Sequence, residues 1–524
     1  MRIVTGSEMS AIDAKATDEF GVPPAALMER AGFEVAAAVK EIGARPVRDL
    51  RVHVVCGGGK NGGDGFVAAR ALGNWGARVR VFLAVPPGRL AGDSASFYRA
   101  VSKMGIPCVT VSEQDVKRLG FALKTADVVV DALVGTGLNG PLRPFHQGVA
   151  EAMNESGARV VAVDIPSGVS ADTGAAAGSA VKADLTVTFG LPKVGHLFGP
   201  GKRLSGRLKV AEIGFPRPLL DSASKRTWMR REEALERLKD RPPDGHKGTF
   251  GRVVVVAGST GMAGAAALAA KGALRAGAGL VTWAGPASLL PLVQALVPEA
   301  TAAGLPEAGG RLEPEAASRL LELLKEGDVV AVGPGLGQGD GVAAFVCDFL
   351  ARWPGAAVID ADALNALAAR GDTIAARINK GKARIVTPHP KEASRLLGAG
   401  PEPVAADPLS RAGELAARWH AVAVLKGSPT VIAEPGGETY VNGSGNTALA
   451  TGGTGDVLTG VIAGLMAQGY GAGEAAALGA FVHGRAGEFA GDELGEHGTI
   501  ASDVAANVAR VFAELEREKR AMQS

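Results

Sequence analysis

Short runs of Val, Ile and Leu alternate along the chain with longer stretches that are rich in Ala and Leu. A run of about five β-branched residues is typical of a buried strand, and the longer stretches are typical of helices. Strands that alternate with helices form parallel sheets covered by helices on both faces. The predicted strands are 51–56, 78–83, 127–131, 159–164 and 184–189 in the first half, and 252–257, 280–284, 328–332, 356–360, 384–387 and 421–425 in the second.

The two series of strands are separated by a segment that follows neither pattern. Residues 214–226 (GFPRPLLDSASKR) hold two prolines and several small or polar residues. The chain is therefore predicted to form two α/β domains, each with three α/β/α layers, over residues 1–217 and 227–524. Residues 227–245 are predicted to be a lead-in helix and turn. A helical segment over about 8–42, capped by Ser7 or Ser10, is expected before the first strand.

Composition excludes several classes of protein. The 524 residues include 56 Lys and Arg against 54 Asp and Glu, which lacks the basic surplus of a protein that coats nucleic acid. The three cysteines show no CxxC or Cys/His spacing, so a disulfide framework and a structural zinc site are not expected. No stretch approaches the ~20 apolar residues of a membrane span, and the first residues lack the apolar run of a signal peptide. A cytoplasmic protein without membrane or nucleic-acid partners is expected.

A glycine-rich loop follows the first predicted strand. Residues 57–65 read GGGKNGGDG and precede a helix that is predicted to begin near Phe66. Glycines let the backbone approach a pyrophosphate, and a helix N-terminus favours an anion. The acidic residue that grips the ribose about 20 positions further on in ordinary dinucleotide sites is missing from RVRVFLAVPPG, which disfavours a conventional NAD dehydrogenase. A tight structural turn that binds no ligand is the alternative.

Oxygen-bearing side chains stand at the ends of neighbouring predicted strands in the same half. Asn61, Asp131 and Ser167 lie on three such loops, and Asp164 opens the sequence DIPSG. Oxygen ligands with few charges suit a hard monovalent cation. The alternative is that Asp131 and Asp164 only cap helices, as single Asp residues often do.

These motifs resemble a known family. GGGKNGGDG, DALVGTG, DIPSG and TFGLPKVGH together look like the epimerase domain of the bifunctional NAD(P)H-hydrate repair enzymes. The resemblance implies a Rossmann-like domain with a potassium ion on Asn61, Asp131 and Ser167. The family loop reads Asn-Asn-Gly-Gly-Asp, so Lys60 is a departure that either adds a phosphate contact or loosens the site. The residues implied to contact the hydrated dinucleotide are Lys60, Asn61, Gly62, Gly63, Asp64, Gly135, Thr136, Gly137, Leu138, Asn139, Gly140, Pro141 and Asp164.

The chemistry implied for this domain concerns one carbon of the substrate. Hydrated NADH and NADPH (NADHX and NADPHX) carry a hydroxyl on the carbon beside the ring nitrogen, in an R or an S form. Ring opening, or loss of hydroxide to a planar iminium and readdition on the other face, interconverts the two. Asp164 is the predicted catalytic acid/base for this exchange, and Lys193 is a second candidate. The sequence leaves the choice between them open.

The second half contains no Walker loop, because the Gly-Lys pairs 59–60 and 381–382 are followed by Asn and Ala. Its strongest phosphate cradle is ATGGTGDVLTG, where Gly452, Gly453 and Gly455 lead directly into an apolar helix. Asp456 stands at the mouth of this anion hole, where a carboxylate can accept a proton from a hydroxyl that attacks phosphorus. Its pKa is predicted to be low beside the helix dipole. The alternative is an ordinary carboxylate at a helix start.

Other glycine- and proline-rich loops are predicted on the same rim of the sheet. Residues 426–430 (KGSPT) offer a charge, hydroxyls and backbone groups suited to a nucleotide. His389 lies between two prolines, in a loop that cannot be helical at that point, and is either a ligand contact or a surface residue. Residues 258–266 and 332–337 are two further glycine-rich loops.

Together these loops resemble the ribokinase-like superfamily and, within it, the ADP/ATP-dependent NAD(P)HX dehydratases. The resemblance implies Mg²⁺ with a nucleotide, and the order of the two domains resembles bacterial and archaeal members, which implies ADP. A homo-oligomer is expected. The residues implied to touch the hydrated dinucleotide are Ala265, Gly335, His389 and the catalytic Asp456. Those implied to bind the nucleotide are Lys426, Gly427, Ser428, Pro429, Thr430 and Gly455.

The implied second reaction phosphorylates the ring hydroxyl and then expels phosphate, which replaces a poor leaving group by a good one. Dehydration accepts only the S epimer, so fusion to an epimerase makes the whole hydrate pool repairable. Two other functions remain open from the sequence. One is a kinase of a hydroxymethyl-pyrimidine or thiazole with an accessory nucleotide-binding domain. The other is a metabolite-binding module whose first half has lost activity, which Lys60 favours.

Overall fold

The protein is described by a computed structural model that covers residues 1–138, 140–378 and 383–523. Backbone contacts divide the chain into two compact units, one over Arg2–Lys225 and the other from Arg226 onward together with Met1. The division falls in the segment between the two predicted domains. Met1, expected in the first domain, belongs to the second unit because its carbonyl accepts a 2.8 Å hydrogen bond from Trp228 N. None of the described helices is long and apolar enough to cross a membrane.

The first unit is built on one parallel sheet. Its described strands lie in the order β3-β2-β1-β4-β5-β6-β7, and every neighbouring pair is parallel. Apolar residues fill the central strands because both faces are covered by helices. The strands are β1 (Arg51–Cys56), β2 (Arg78–Leu83), β3 (Cys108–Thr110), β4 (Val128–Ala132), β5 (Arg159–Val163), β6 (Leu185–Phe189) and β7 (Arg207–Ala211).

The helices of this unit correct two predictions. Thr5, not Ser7 or Ser10, caps the first helix, because Thr5 Oγ1 accepts from Glu8 N at 3.1 Å and Glu8 Oε2 accepts from Thr5 N at 2.7 Å. The third helix begins at Lys60 rather than near Phe66, so residues 60–65 of the glycine-rich loop are helical. The helices are α1 (Gly6–Asp18), α2 (Pro24–Ile42), α3 (Lys60–Asn74), α4 (Gly92–Lys103), α5 (Val116–Leu123), α6 (Pro144–Asn154), α7 (Gly199–Leu204) and α8 (Arg217–Asp221).

The second unit contains a larger, mixed sheet in the order β11-β10-β9-β14-β15-β16-β17-β18-β19-β8. Strands β11 to β17 in this order are parallel, whereas β17, β18 and β19 pair antiparallel, which confirms the predicted hairpin within 426–443. The strands are β8 (Arg226–Met229), β9 (Arg252–Val256), β10 (Leu280–Pro286), β11 (Thr301–Leu305), β12 (Glu307–Ala308), β13 (Arg311–Leu312), β14 (Val329–Val332), β15 (Ala356–Ile359), β16 (Arg384–Val386), β17 (Val422–Leu425), β18 (Val431–Ala433) and β19 (Thr439–Asn442).

The helix that was predicted to begin at residue 227 begins later, at Arg231. Residues 226–229 form β8, because Thr227 and Met229 alternate as buried positions and the strand pairs with β19. The helix follows the strand. The helices of this unit are α9 (Arg231–Arg237), α10 (Ala263–Arg275), α11 (Leu290–Leu296), α12 (Ala316–Leu323), α13 (Asp340–Arg352), α14 (Ala361–Ala368), α15 (Asp372–Ile378), α16 (Pro390–Leu397), α17 (Pro401–Ala406), α18 (Pro408–Trp419), α19 (Thr454–Ala467), α20 (Ala472–Leu494) and α21 (Ala501–Gln523).

Helices α10 and α19 pack unusually closely, which fixes the start of α19. A Cβ on Gly460 would lie 1.9 Å from Ala269 O, and one on Gly272 would lie 2.4 Å from Val457 O. Only glycine permits this approach of the two backbones. The first turn of α19 is therefore held firmly beside the carboxyl ends of the parallel strands, where α/β sheets bind ligands.

Candidate active sites

The carboxyl ends of β1, β4, β5 and β6 meet at one edge of the first sheet. A Cβ on Gly57 would lie 2.0 Å from Leu133 O, and one on Gly62 would lie 2.1 Å from Gly57 O. The loop after β1 is thus pressed against the loop after β4 and turns directly into α3. The glycines are required by backbone packing, and the same packing aims the N-terminus of α3 along this edge.

Asp131 and Ser167 form a buried pair at this edge. Ser167 donates to Asp131 through Oγ (2.6 Å to Oδ1) and through its backbone N (2.8 Å to Oδ2), and Leu133 N donates to Asp131 Oδ1 at 3.2 Å. Ser167 Oγ also accepts from Val134 N at 2.9 Å. Asp131 therefore binds the loop that follows β5 and caps no helix. The alternative that Asp131 only caps a helix is wrong.

Asn61 lies against the same loop. A Cβ on Gly135 would lie 3.0 Å from Asn61 Oδ1, and Asn61 Nδ2 is buried without a hydrogen-bond partner among the described residues. The three predicted ligands, Asn61, Asp131 and Ser167, thus converge on residues 133–135. The unpartnered atom is a hydrogen-bond donor, so the atom of Asn61 that can contact a cation is Oδ1.

This set of oxygen ligands fits a monovalent cation. It offers an amide, a hydroxyl and one carboxylate, whose pKa burial raises to about 6 although hydrogen bonds from Ser167 lower it. A bound cation would favour the ionised form of Asp131. Within the described ranges, no group of three or more His, Cys, Asp or Glu could hold a metal ion, so a site for zinc is not formed there.

Asp164 follows β5 with a φ of +64°, a conformation that is uncommon outside glycine and turns its carboxylate toward β6. The ammonium of Lys193, which is fully buried, lies 2.5 Å from Asp164 Oδ1. Thr188 Oγ1 donates to the same oxygen at 3.0 Å and lies 2.9 Å from Lys193 Nζ. The two candidates for the acid/base are therefore one hydrogen-bonded pair.

His196 completes this cluster. Its Nδ1 accepts from Lys193 N at 2.9 Å, so its Nε2 carries the proton and donates to Asp164 O at 2.9 Å. Burial and the Lys193 charge lower the pKa of His196 to about 4, so the ring is neutral near pH 7. Burial alone would raise the pKa of Asp164, but the Lys193 ammonium and its hydrogen bond outweigh this and lower it. Asp164 is ionised and fixed at both its backbone and its side chain.

A second carboxyl of the predicted site behaves in the opposite way. Asp64 is buried in α3, and burial, followed by the charges of Asp164 and Asp13, raises its pKa well above the usual value. Lys60 forms an ion pair with Asp13, and its side chain is 77% exposed. The site therefore combines one carboxyl whose pKa is lowered and one whose pKa is raised, with the Lys60 ammonium at its rim.

The loop after β4 has mixed exposure. Gly135, Thr136 and Leu138 are half-buried, whereas Gly137, Gly140 and Pro141 are exposed; Asn139 lies outside the described residues. Gly62 and Gly63 are buried in the first turns of α3. The structure thus gathers the described members of the predicted set at one edge of the sheet, and the exposed part of the loop is open to a ligand.

In the second unit, α19 opens with the predicted anion hole. Gly453 caps the helix with a φ of +90°, which favours glycine, and Asp456 lies in the first turn. A Cβ on Gly453 would also lie 2.6 Å from Leu268 Cδ1 of α10. Asp456 N already donates to Gly453 O at 3.1 Å, so the N–H groups that precede it at the start of the helix are the ones placed to bind an anion, as helix N-termini do.

A buried ion pair lies beside this turn. Lys426 Nζ lies 2.8 Å from Asp360 Oδ1, and Thr459 Oγ1 of α19 donates to Asp360 Oδ2 at 2.7 Å. Asp360 is 1% exposed. A Cβ on Gly455 would lie 3.4 Å from Lys426 Nζ. The Lys426 ammonium is therefore next to the anion hole, where it can add a positive charge to the helix dipole.

The predicted low pKa of Asp456 is wrong. Burial, followed by the Asp360 carboxylate, raises the pKa of Asp456 to about 7, although Lys426 lowers it. Burial and the Asp360 charge outweigh the helix dipole, which is the effect that predicted a low pKa. Because the ideal pKa of a general base lies near the working pH, Asp456 can act as a proton acceptor and not only as an orienting group.

The loop that carries His389 meets the same site through its backbone. Lys426 N donates to Pro388 O at 2.8 Å. His389 caps α16 by accepting from Glu392 N at 3.2 Å, while Glu392 Oε2 accepts from His389 N at 2.9 Å. Its side chain remains 46% exposed. The ring is therefore held at the rim of the cleft and keeps a face available to a ligand.

Ala265 and Gly335 lie together on the neighbouring loops. A Cβ on Gly335, whose φ is +62°, would lie 2.9 Å from Ala265 Cβ, so glycine is needed for this contact. Two residues earlier, a Cβ on Gly333 would lie 1.8 Å from Asp360 O. These contacts join the predicted hydrate-binding residues to the Asp360–Lys426 pair.

The predicted nucleotide loop turns at the end of β17. Thr430 Oγ1 lies 3.3 Å from Gly427 N and 3.2 Å from Gly427 O, which closes the turn around Ser428 and the cis peptide to Pro429. Gly427 and Ser428 are exposed, and Pro429 is buried. The exposed backbone of this turn stands beside Lys426 at the same rim.

Sequence reasoning missed several residues of the two sites. Asp360 and Thr459 carry the contacts of Lys426, and His483 Nε2 lies 2.8 Å from Thr454 O beneath the first turn of α19. Asp360 is the last residue of the predicted strand 356–360, and this position could have indicated that it belongs to the site. Thr459 and His483 lie in apolar helices and give no such signal. His196 could have been found from its spacing to Lys193.

Comparisons with known proteins match a family to each half of the chain. Residues 253–510 match the family described as NAD(P)H-hydrate dehydratase, and residues 24–195 match the family described as YjeF-related protein N-terminus. The ADP/ATP-dependent NAD(P)H-hydrate dehydratase of Bacillus subtilis, co-crystallized with ATP/Mg2+, is 32% identical, with a TM-score of 0.49 over 55% of this chain and 98% of that one.

Two curated relatives cover nearly the whole chain. Both are named bifunctional NAD(P)H-hydrate repair enzyme Nnr. The one from Moorella thermoacetica is 42% identical over 99% of this chain and 98% of its own length. The one from Thermofilum pendens is 44% identical over 95% of this chain and 94% of its own length. The chain therefore belongs to the family of bifunctional NAD(P)H-hydrate repair enzymes.

Proposed function

We propose that the first unit interconverts R- and S-NAD(P)HX at Asp164 and that the second unit dehydrates the S form with ADP at Asp456. The observation that carries the second assignment is the placement of Asp456, with a pKa of about 7, in a glycine-rich helix start beside the Lys426 ammonium. A carboxylate base, an anion hole and a point charge are the groups that phosphoryl transfer to a hydroxyl requires.

In the second unit, the ring hydroxyl attacks the β-phosphorus of ADP while Asp456 accepts its proton, and AMP leaves. The N–H groups of the first turn of α19 and the Lys426 ammonium stabilise the charge on the transferred phosphoryl group. The bond from the ring carbon to the phosphate oxygen then breaks as the ring nitrogen donates its lone pair, and phosphate leaves. Loss of a proton from the neighbouring ring carbon to water forms the double bond and restores the dihydronicotinamide ring. Residues 427–430 lie at the rim, where they bind the nucleotide, and Ala265, Gly335 and His389 bind the hydrated ring.

Mg²⁺ fits this site as an ion that enters with the nucleotide. Among the residues that the structure describes, no three or more His, Cys, Asp or Glu side chains come together in a group that could hold a metal ion. Mg²⁺ usually keeps several waters and is bound by substrate phosphates with few protein ligands. When bound, it neutralises phosphate charge. The residues of the protein then orient the hydroxyl, and Asp456 accepts its proton.

In the first unit, Asp164 is the base, and Asp64 is a second carboxyl of the same site whose pKa is raised by burial. Asp164 can take the proton of the ring hydroxyl as the bond between its carbon and the ring nitrogen breaks and the electron pair passes to the nitrogen. After rotation exposes the other face of the carbonyl, the nitrogen adds back and Asp164 returns the proton to the oxygen. Lys193 and His196 hold the Asp164 carboxylate and backbone in place. The half-buried residues Gly135, Thr136 and Leu138 line the approach for the dinucleotide.

The potassium proposal gives a specific salt dependence. K⁺ bound by Asn61, Asp131 and Ser167 should raise the melting temperature of the first unit in KCl relative to choline chloride at equal ionic strength, because a ligand of the folded state stabilises it. An increase of about 1–3 °C is expected for a weakly bound ion. Differential scanning fluorimetry measures it. Asn61→Ala should abolish the difference; the same difference in this variant would contradict the site.

Recovery of the 340 nm absorbance of NADH from NADHX tests the proposed function directly. We expect the full chain to restore the absorbance with ADP and Mg²⁺, and to consume both epimers because the first unit feeds the second. Replacement of ADP by ATP shows which nucleotide the protein uses. If neither nucleotide supports recovery, while a hydroxymethyl-pyrimidine or thiazole is phosphorylated, the dehydratase assignment is wrong. The expected homo-oligomer and cytoplasmic location stay predictions from the sequence.

A further inference from the structure

Asp360 uses every polar group that it has. Its backbone N donates to Val332 O at 3.0 Å, and its carbonyl is so close to Gly333 that a Cβ there would lie 1.8 Å away. Its two carboxylate oxygens are bound separately, Oδ1 by Lys426 Nζ at 2.8 Å and Oδ2 by Thr459 Oγ1 at 2.7 Å. The side chain is 1% exposed and cannot reach a substrate directly.

These bonds connect three elements around the anion hole. Asp360 stands at the end of β15, Lys426 at the end of β17, and Thr459 one turn into α19. Thr459 Oγ1 also donates to Gly455 O at 3.1 Å. A Cβ on Gly455 would lie 3.4 Å from Lys426 Nζ and 4.0 Å from Asp360 Oδ2, so the pair sits directly under the first turn of the helix.

A buried ion pair of this kind is not explained by stability. Removing two charges from water is expensive, and well-packed apolar residues of similar volume often stabilise a fold as well or better. The Asp360–Lys426 pair is an advantage only where the function needs an ammonium in a fixed position. The Lys426 side chain is 21% exposed, and its Nζ would lie 3.4 Å from a Cβ on Gly455, so the ammonium adjoins the anion hole while its counter-ion remains buried.

We propose that Asp360 is a positioning residue of the dehydratase, which holds the Lys426 ammonium and the first turn of α19 in one fixed geometry around the transferred phosphoryl group. This inference rests on the proposed function of the second unit. Long cationic side chains lose rotamer freedom when they bind a ligand. A lysine that is already held by Asp360 does not incur that loss in the transition state, which is the advantage of preorganised electrostatics.

The same carboxylate influences the base. The charged groups that act on Asp456 are Asp360 and Asp362, which raise its pKa, and Lys426, which lowers it, in addition to burial. The charge of Glu392 also raises the pKa of Lys426. Beneath the turn, burial lowers the pKa of His483 to about 4, so this ring adds no charge near pH 7. Loss of the Asp360 charge should therefore lower the pKa of Asp456.

The test is Asp360→Asn in the full chain, assayed by NADH recovery with ADP. Asn keeps the size and an acceptor for Thr459 but loses the charge that holds Lys426. We expect kcat to fall on the order of 100-fold, as misplacement of a catalytic group by about 1 Å can do, with less than a threefold change in the KM for ADP. The rising limb of kcat/KM against pH should move to lower pH.

Asp328→Asn is the matched control. Asp328 is also buried, and it accepts from Arg252 Nε at 2.9 Å, but this pair lies at the opposite, amino ends of β9 and β14. It should lower the melting temperature and leave kcat and the pH limb unchanged. If Asp360→Asn behaves like this control, Asp360 is merely structural and the proposal is overturned.

Thr459→Val keeps the proposal testable if Asp360→Asn does not fold. It removes one hydrogen bond to Asp360 and leaves both charges, so kcat should fall several-fold without a shift of the pH limb. A wild-type kcat in Thr459→Val would overturn the proposal. Failure of the proposed function is distinguishable, because in that case the unmodified chain itself gives no NADH recovery with ADP or ATP.

Discussion

Asp456→Asn should nearly abolish dehydration while leaving epimerisation intact. Asn is isosteric with Asp but cannot accept the proton of the attacking hydroxyl, and general base catalysis is worth about 10²–10⁴-fold. We therefore expect kcat for NADH recovery to fall about 1,000-fold, with little change in the KM for ADP. Exchange between R- and S-NADHX, followed by proton NMR in the same samples, should proceed at the wild-type rate.

The pH dependence of the unmodified chain gives an independent reading of the same residue. Asp456 must be ionised to accept a proton, and its pKa is raised to about 7. Activity should therefore be lost as the pH falls through about 7. The relevant quantity is kcat/KM for NADHX with ADP well below its KM, since this reports the free enzyme. This rising limb should be missing from the residual activity of Asp456→Asn.

Asp503→Asn is the matched control for a carboxylate at a helix start. Asp503 lies in the first turn of α21, where its Oδ2 accepts from Ile500 N at 2.9 Å. This substitution should cost some stability and leave the dehydratase kcat and its pH profile unchanged. A dehydratase that is equally active in Asp456→Asn and Asp503→Asn would show that Asp456 is only a helix-start residue.

The strands that were predicted from the sequence are those with two buried faces. In β1, β4 and β9 nearly every residue is buried, so these strands are rich in valine. Strands β3 and β7 were missed because they form the edges of their sheet and are largely exposed or half-buried. An edge strand needs no continuous apolar run, so its sequence resembles that of a loop.

The candidate sites were predicted where glycine spacing records a backbone requirement. Gly62 and Gly335 are fixed by contacts that a Cβ would prevent, and such positions are visible in the sequence as motifs. The pKa of Asp456 was predicted wrongly because it depends on Asp360, which is 96 residues away in the sequence and close only in the fold. Electrostatic coupling between strand ends has no local sequence signal.

Lys193→Met should lower epimerisation at neutral pH and should also destabilise the first unit. It leaves the buried Asp164 carboxylate without its ammonium partner, and breaking a buried pair typically costs about 3–5 kcal/mol. Lys193 is fully buried, so water cannot take its place. Chemical denaturation measures the loss of unfolding free energy. Lys209→Met removes a half-exposed partner of Glu34 at 2.9 Å and is the control, with a cost below about 1 kcal/mol.

The pH dependence of this variant distinguishes the two candidate acid/base residues. The Lys193 ammonium lowers the pKa of Asp164, so its removal should raise that pKa and move the rising limb of epimerisation to higher pH. If Lys193 acts only through Asp164, activity should return toward the wild-type rate as the pH is raised. If Lys193 itself transfers the proton, no pH should restore activity.

Asp164→Asn provides the other half of the argument. It should lower the epimerisation rate by about 10²–10⁴-fold at every pH, because an amide cannot replace a general base. Thr188 and His196 can still hold the residue, since His196 bonds the Asp164 backbone carbonyl and not its side chain. If Asp164 only positioned Lys193, and Lys193 transferred the proton, Asp164→Asn would remain active and Lys193→Met would be inactive at all pH values. The pair of variants therefore assigns the proton transfer to one of two groups that lie 2.5 Å apart.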